Sequence, residues 1–209
     1  MSTASIEPVA SSGKQPRTER GRRTLRKLLD AAAIEFGENG FHEASISAIT
    51  RRAGTALGSF YTYFDSKDEI FRALVKDMSG MVRSHSASEL REGMTAIEIE
   101  AAALKGFLGF AREHKEIYRI IDESEFVDPA SYREHYESTA KRIVDRFERG
   151  MATGELRQGL GEAEAWALMG MNVFLGLRYA ILAEDESIED IAETANKILR
   201  QGITAKDKP

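Results

Sequence analysis

The stretch Ser45–Lys67, SISAITRRAGTALGSFYTYFDSK, carries the clearest structural signal in this chain. Ser45 is a natural N-cap, because its hydroxyl can accept a hydrogen bond from a first-turn amide. Ile46, Ile49 and Ala53 follow at i, i+3 and i+7 and make one apolar stripe. Gly54 can take the left-handed conformation that ends a helix in a sharp turn. Leu57, Phe60 and Phe64 then recur at helical spacing, with Ser59, Tyr61, Thr62 and Tyr63 between them. Phe60 and Phe64 claim the buried face, which turns Ser59, Thr62 and Tyr63 outward and leaves Tyr61 able to face either way. A short helix, a glycine turn and a second helix rich in hydroxyls fit the helix-turn-helix plan for reading the DNA major groove.

Working outward, the supporting elements follow the 3.6-residue period. Before the motif, a helix from about Thr18 places Leu25, Leu28, Leu29, Ala32 and Phe36 on one face and ends at Asn39-Gly40. After it, Ser66 with Glu69 has the form of a capping box, and Ile70, Phe71, Leu74, Val75 and Met78 predict a helix to about Arg83. Ser84 to Gly93 is polar and predicts a loop or a frayed helix end. Helices are then expected over Ala96–Arg112, over a short Ile117–Ile121 piece broken at Phe126–Pro129, over Ser131–Met151, Glu162–Leu182 and Ile188–Ile203. No strand alternation appears, so the fold class is all-α. The expected division is a disordered tail at 1–16, a helix-turn-helix domain at 17–66 and a helical ligand-binding and dimerisation domain at 67–209.

The 209 residues suffice for a substantial core. The net charge of −5 is unevenly spread: residues 1–83 hold 13 Lys/Arg against 10 Asp/Glu, and the rest 16 against 24. Arg17, Arg20, Arg22, Arg23, Arg26 and Lys27 crowd the start of the first helix, where they suit phosphates or a minor groove. The chain has no cysteine, which excludes disulfides and thiolate metal sites. No uninterrupted apolar run approaches the ~20 residues that span a bilayer, and the N-terminus lacks an apolar signal core. A cytoplasmic protein without a membrane partner is expected.

Helix 162–182 is apolar all round and so should be buried all round. One side carries Trp166, Gly170, Phe174, Leu177 and Ile181. With Ile191, Ala195 and Ile198 of the last helix, these are the expected dimer face. Aromatic walls and a few polar groups for a small-molecule pocket are sought among Phe107, Phe110, Tyr118, Ile121, Phe126, Tyr136, Phe147, Met169, Asn172, Arg178 and Tyr179, for each of which ordinary core packing is the competing explanation. Asn172, an amide in so apolar a helix, needs partners, and Arg178 could hold an anion or bridge subunits. An elongated, mostly apolar effector is expected, such as a fatty acid, an acyl-CoA or an aromatic acid. His42, His85, His114 and His135 are scattered without metal-ligand spacing. No phosphate-binding glycine loop or nucleophile elbow exists, so neither a cofactor, a metal nor an enzyme activity is expected.

The pieces LLDAAAIEFGENGF, SISAITRRAGTALGSFYTYF and DSKDEIF together resemble the DNA-binding domain of the TetR family of transcription regulators, from Arg20 to about Met78. The resemblance implies a homodimer on operator DNA, with the last two long helices as interface, and repression relieved by a ligand. By position it implies DNA contacts from Ser47, from Leu57, Gly58 and Ser59 at the start of the recognition helix, from Tyr61, Thr62 and Tyr63, and from Lys67 on a phosphate. This chain departs from the family in having Ala56-Leu57 where many members have Ser-Lys, so Thr55 is the candidate cap. A regulator on the same fold answering to a protein partner, or a small helical enzyme, are the alternatives.

Overall fold

The computed structural model describes residues 14–183 and 185–203. The expected tail lies mostly outside these. Among the described residues nine α-helices follow in order: α1 Glu19–Glu43, α2 Ile46–Arg52, α3 Leu57–Tyr61, α4 Lys67–Ser88, α5 Ala96–Glu113, α6 Glu116–Val127, α7 Pro129–Ala152, α8 Glu162–Gly176 and α9 Ile188–Ile203, with a π-helical segment Leu177–Leu182 continuing α8. Among the described residues there is no strand.

Two compact units result. The first runs to Met81 and takes in Lys115–His135; the second comprises Val82–His114 and the chain from Tyr136 onward. The first unit therefore joins α6 to the helix-turn-helix. Its core is built from Leu25, Leu28, Leu29 and Phe36 of α1, Ile49 of α2, Phe60, Phe64, and Ile70, Phe71 and Leu74 of α4, all fully buried. Phe71 lies edge-on to both Phe36 and Phe41, at 5.2 and 5.0 Å between centroids. Rings at this spacing gain from opposed edge and face charge as well as from burial.

The start and stop signals of the first unit behave as the side chains dictate. Thr18 accepts from the Gly21 amide and Ser45 from the Ala48 amide, each at 3.1 Å. Gly40 takes φ 77° inside the long first helix and Gly54 takes φ 64° between α2 and α3. Ser66 accepts from the Glu69 amide at 3.2 Å, but the Glu69 carboxylate turns to the Asp65 amide instead of that of Ser66. Beyond this, two sequence expectations need correction. The polar run after Arg83 stays helical as far as Ser88, since Ser84-His85-Ser86-Ala87-Ser88 contains neither glycine nor proline to break it. The short helix at Ile117–Ile121 extends over Glu116–Val127.

The second unit has two apolar clusters. One joins Ile143 and Phe147 of α7 with Ala165, Leu168 and Met169 of α8 and Leu156, Leu160 and Ile203. The other joins Leu104 and Leu108 of α5 with Ala192 and Ala195 of α9. A complete capping box opens α5, with Thr95 and Glu98 exchanging hydrogen bonds. Across the unit, Arg146 of α7 donates twice to Glu100 of α5, at 2.6 and 2.8 Å.

Helix 162–182 is neither uniform nor buried all round. After Gly176 it widens, and the Ala183 amide reaches the Arg178 carbonyl five residues back at 3.0 Å. By length and composition, Glu162–Leu182 is the one stretch among the described residues long and apolar enough to cross a membrane, although Glu162, Glu164, Asn172 and Arg178 interrupt its apolar run. Ala165, Leu168, Met169, Gly176 and Ala180 are covered, while Trp166, Phe174 and Leu182 are exposed.

Close approach in the second unit rests on a glycine. A Cβ at Gly106 of α5 would lie 2.2 Å from the backbone oxygen of His85. Gly106→Ala should therefore lower the unfolding free energy by about 1–3 kcal/mol, checked by urea denaturation; an unchanged midpoint would contradict this packing.

Candidate nucleic-acid interface

The reading head is α2, the Gly54 turn and α3. Ser45 fixes the start of α2, and Ile49 pins it to the core. Phe60 of α3 is fully buried, which sets the rotation of this five-residue helix. With Phe60 inward, Leu57 is 50% exposed and Tyr61 49% exposed. Ser47, Gly58 and Thr62 are exposed beside them, and Ser59 is half-buried. A Cβ at Gly58 would meet nothing, so this side of α3 is open to a surface pressed against it. The structure thus brings Ser47, Leu57, Gly58, Tyr61 and Thr62 to solvent on the two motif helices.

Three of the expected contacts are corrected. Tyr63 is only 8% exposed; its ring completes the core next to Phe64, and a Cβ on Gly21 at the start of α1 would lie 3.5 Å from its hydroxyl. Thr55 does not cap α3. The cap position is Ala56, without a side-chain bond, and the Thr55 hydroxyl is buried with no partner among the described residues. In the DNA-free chain both groups face the fold more than solvent.

Lys67 is corrected most sharply. Its ammonium donates to the carbonyls of Phe41, His42 and Ala44 at 2.6, 3.0 and 2.9 Å and lies 4.6 Å from the centre of the Phe41 ring. An ammonium has three donors, and all are spent. The carbonyls it takes are those the end of a helix leaves unmatched, where a cation also meets the negative end of the helix dipole. Without DNA, Lys67 clamps the end of α1.

The other half of that clamp was not foreseen. Arg119 of α6 donates to the Gly37 and Glu38 carbonyls at 3.1 and 3.0 Å, and Glu123 accepts from the Phe41 amide at 2.7 Å. Gly37 is what lets α6 approach, since a Cβ there would lie 2.5 Å from that of Glu116. The signal in the sequence was a pair of glycines, Gly37 and Gly40, within an otherwise helical pattern.

The basic residues divide into two groups. Arg26 pairs with Asp77, whose side chain is wholly buried, and with Asp30, at 2.7 Å each. Burial opposes its charge, but the Asp77 and Asp30 carboxylates outweigh that and raise its pKa. Arg52 pairs with Glu38 at 2.5 Å and Glu35 at 3.4 Å. These two serve the fold. Arg17, Arg20, Arg22, Lys27 and Arg51 are exposed, as suits phosphate contact. Lys14 reaches the Tyr61 carbonyl at 3.2 Å and the Asp65 carboxylate, so the start of the described chain is tied to the end of α3.

Of the expected pocket residues, Phe107, Phe110, Tyr136, Phe147, Met169, Asn172, Arg178 and Tyr179 fall in the second unit, and Tyr118, Ile121 and Phe126 in the first. Phe126 is 83% exposed at the end of α6 and Ile121 is buried core. Phe147 and Met169 pack into the α7–α8 cluster. The Asn172 side-chain oxygen is buried with no partner among the described residues. Arg178 is exposed, its guanidinium 5.2 Å from the Tyr179 ring centre. On the expected dimer face, Ala195 is buried within its own unit and is not available to a partner. Trp166, Phe174 and Ile198 are exposed, and a Cβ on Gly170 would meet nothing.

An all-helical chain with a helix-turn-helix held on a three-helix core is a DNA-binding transcription regulator in architecture. Residues 28–74 match the family model described as bacterial regulatory proteins, tetR family. The chain is 29% identical over 185 residues to the uncharacterized HTH-type transcriptional regulator YdgC of Bacillus subtilis (strain 168), covering 86% of this chain and 93% of that protein. It is 28% identical over 140 residues to the fatty acid metabolism regulator protein of the same organism, covering 64% and 71%. The solved transcriptional regulator FadR from Bacillus subtilis, in complex with stearoyl-CoA, shares the fold with a TM-score of 0.74 at 20% identity over 85% of this chain and 98% of that one. Over residues 28–74 the chain thus carries a TetR-type DNA-binding domain, and the relatives it resembles along most of its length are transcriptional regulators.

Replacing Lys67 by Met should cost about 1.5–3 kcal/mol, because it strands three carbonyls that now share a charged donor. Urea unfolding measures this. A phosphate ligand would instead show unchanged stability and a smaller salt dependence of DNA binding. Thr55→Val, which removes a buried hydroxyl with no partner, should be neutral or stabilising by up to about 1 kcal/mol by the same measurement.

Proposed function

We propose that the chain acts in the cytoplasm as a homodimeric repressor that leaves its operator when a largely apolar acyl effector binds. The observation that carries the DNA half is the open side of α2 and α3. Ser47, Leu57, Gly58, Tyr61 and Thr62 are exposed around a helix whose rotation the buried Phe60 fixes. In this reading α3 enters the major groove. Thr62 and the Tyr61 hydroxyl supply hydrogen bonds, Leu57 meets a thymine methyl, and Ser59 and Gly58 allow close approach. Ser47 with Arg17, Arg20, Arg22 and Arg51 meets the phosphates that set orientation and most of the affinity.

The dimer is supported by apolar surface that one copy leaves uncovered. Trp166 and Phe174 of α8, Leu182 and Ile198 are exposed, Phe174 by 71%. Large uncovered apolar groups of this kind mark interaction surfaces. Leu177, Ile181 and Ile191, half-buried in one copy, would complete the contact, and a two-fold axis suits a palindromic operator. The acyl effector is supported by the likeness to a regulator of fatty acid metabolism and by the shared fold of a regulator solved with stearoyl-CoA. Phe107, Tyr136, Asn172 and Tyr179, each half-buried in the second unit, are the candidates to line its site.

A mobility-shift assay with the DNA upstream of the chain's own gene tests the first claim. A shifted complex is expected whose affinity falls roughly a thousandfold between about 50 and 200 mM salt; no shift at the lower salt would overturn it. Tyr61→Ala and Thr62→Ala should each weaken that complex by about fivefold to a hundredfold, with unfolding midpoints unchanged. A thermal-shift screen of fatty acids, acyl-CoAs and aromatic acids tests the effector, and a response confined to sugars or metals would remove the acyl reading.

A further inference from the structure

Residues 84–209 are acidic overall, with 16 Lys/Arg against 24 Asp/Glu, yet in the second unit Arg142 of α7 lies within electrostatic reach of two further arginines, Arg146 of α7 and Arg83 of α4. Arg142 and Arg146 stand one turn apart on α7, and Arg83 of α4 is near enough to act on Arg142 electrostatically. Arg146 is satisfied by Glu100, whose carboxylate is almost wholly buried and gives both oxygens to that one guanidinium. Arg142 has nothing comparable. It donates at 2.8 Å to the Thr139 hydroxyl and at 3.5 Å to the Ser138 hydroxyl, both neutral and both on its own helix. Among the described residues no carboxylate pairs with Arg142 or with Arg83.

Burial, then the charges of Arg83 and Arg146, hold the Arg142 pKa below the usual arginine range. A half-buried guanidinium facing like charge weakens the ligand-free fold. Most of its N–H donors also remain unspent, in a planar fork suited to carboxylate or phosphate. The adjoining side of α7 carries Tyr136, Ala140, Ile143 and Phe147 of the apolar cluster, so charge recognition and apolar surface lie side by side on one helix.

We propose that Arg142 and Arg83, with the Thr139 and Ser138 hydroxyls, form an oxyanion-binding site that takes the charged head of the effector. The acyl tail attached to its anion rests on the proposed function. The anion is an oxyanion of either a fatty-acid carboxylate or the phosphates of a coenzyme A thioester.

Calorimetric titration of the full chain separates these. The probes are palmitate, palmitoyl-CoA, coenzyme A without an acyl chain, uncharged methyl palmitate and inorganic pyrophosphate. The proteins are wild type, Arg142→Gln, Arg83→Gln and the control Lys141→Gln, which alters an exposed pair with Asp145 on the same helix. Arg142→Gln should weaken the charged probes tenfold or more, leave methyl palmitate unchanged and raise the ligand-free unfolding midpoint, whereas a merely structural arginine would lower it. Binding of coenzyme A and pyrophosphate assigns the phosphates, and binding of palmitate without coenzyme A assigns the carboxylate. If wild type binds pyrophosphate but no acyl compound, and Arg142→Gln loses that binding, the anion site stands and the acyl effector falls. If Arg142→Gln binds every charged probe as wild type does, the site is refuted. Should that variant fail to fold, the exposed Arg83→Gln decides: about threefold or greater weakening of charged probes supports the site, and none refutes it.

Discussion

At the end of α1 the carbonyls of Phe41, His42 and Ala44 converge on one ammonium, that of Lys67 at the start of α4. The backbone there has just turned through Gly40 at φ 77°, and it must begin α2 at Ile46 almost at once. Lys67, Arg119 and Glu123 between them take up the carbonyls of Gly37, Glu38, Phe41, His42 and Ala44 and the amide of Phe41. The Phe41 ring beneath is held against Phe36 and Phe71. This junction fixes where α2 leaves α1, and so where α3 can present itself. A buried carbonyl without a donor costs more than a formed bond gains, which makes the junction a single arrangement instead of a set of near-equal ones.

The charges of the first unit follow the same economy. Arg26 and Arg52 lie near the motif and are basic, yet carboxylates of α1 and α4 hold them inside the fold. Breaking such a pair on one side leaves an isolated charge in a poor solvent. The groups left for phosphates are those on the exposed side of α1 and the end of α2, namely Arg17, Arg20, Arg22, Lys27 and Arg51. An acidic protein can thereby offer a basic face, because what meets DNA is local charge within a Debye length and not the net value.

The second unit shows the opposite pattern, in which interior groups are left incomplete. Asn172 and Asn196 each bury an oxygen with no partner among the described residues, and Arg142 lacks a counter-charge. Phe174 and Ile198 keep apolar surface in solvent. Each departure is destabilising in one copy with nothing bound, and binding of a ligand or a second copy is the kind of event that repays it. The first unit has lapses of the same kind in the buried Thr55 hydroxyl and in the exposed Ile34 and Phe126.

Sequence alone determined the all-α class, the helix-turn-helix at Ser45–Phe64, the caps at Ser45 and Ser66 and the turn at Gly54. These depend on helical periodicity and on bonds between residues a few positions apart, which order along the chain specifies directly. It also placed α9 with its observed bounds. It did not foresee the partners of Lys67 or the burial of Tyr63 and of the Thr55 hydroxyl, because all three lie in a motif whose polar groups are expected outside, and their surroundings come from α1 and the core. It left α6 unassigned to the DNA-binding unit, although Gly37 and Gly40 hinted at a close neighbour. Helix 162–182 illustrates the boundary: composition made it apolar on all sides, but only packing decided that Ala165, Leu168 and Met169 are covered while Trp166 and Phe174 are not. Which side chain a cation meets, and which face of a helix another element covers, are set by contacts between residues distant in sequence, and those exist only once the chain has folded.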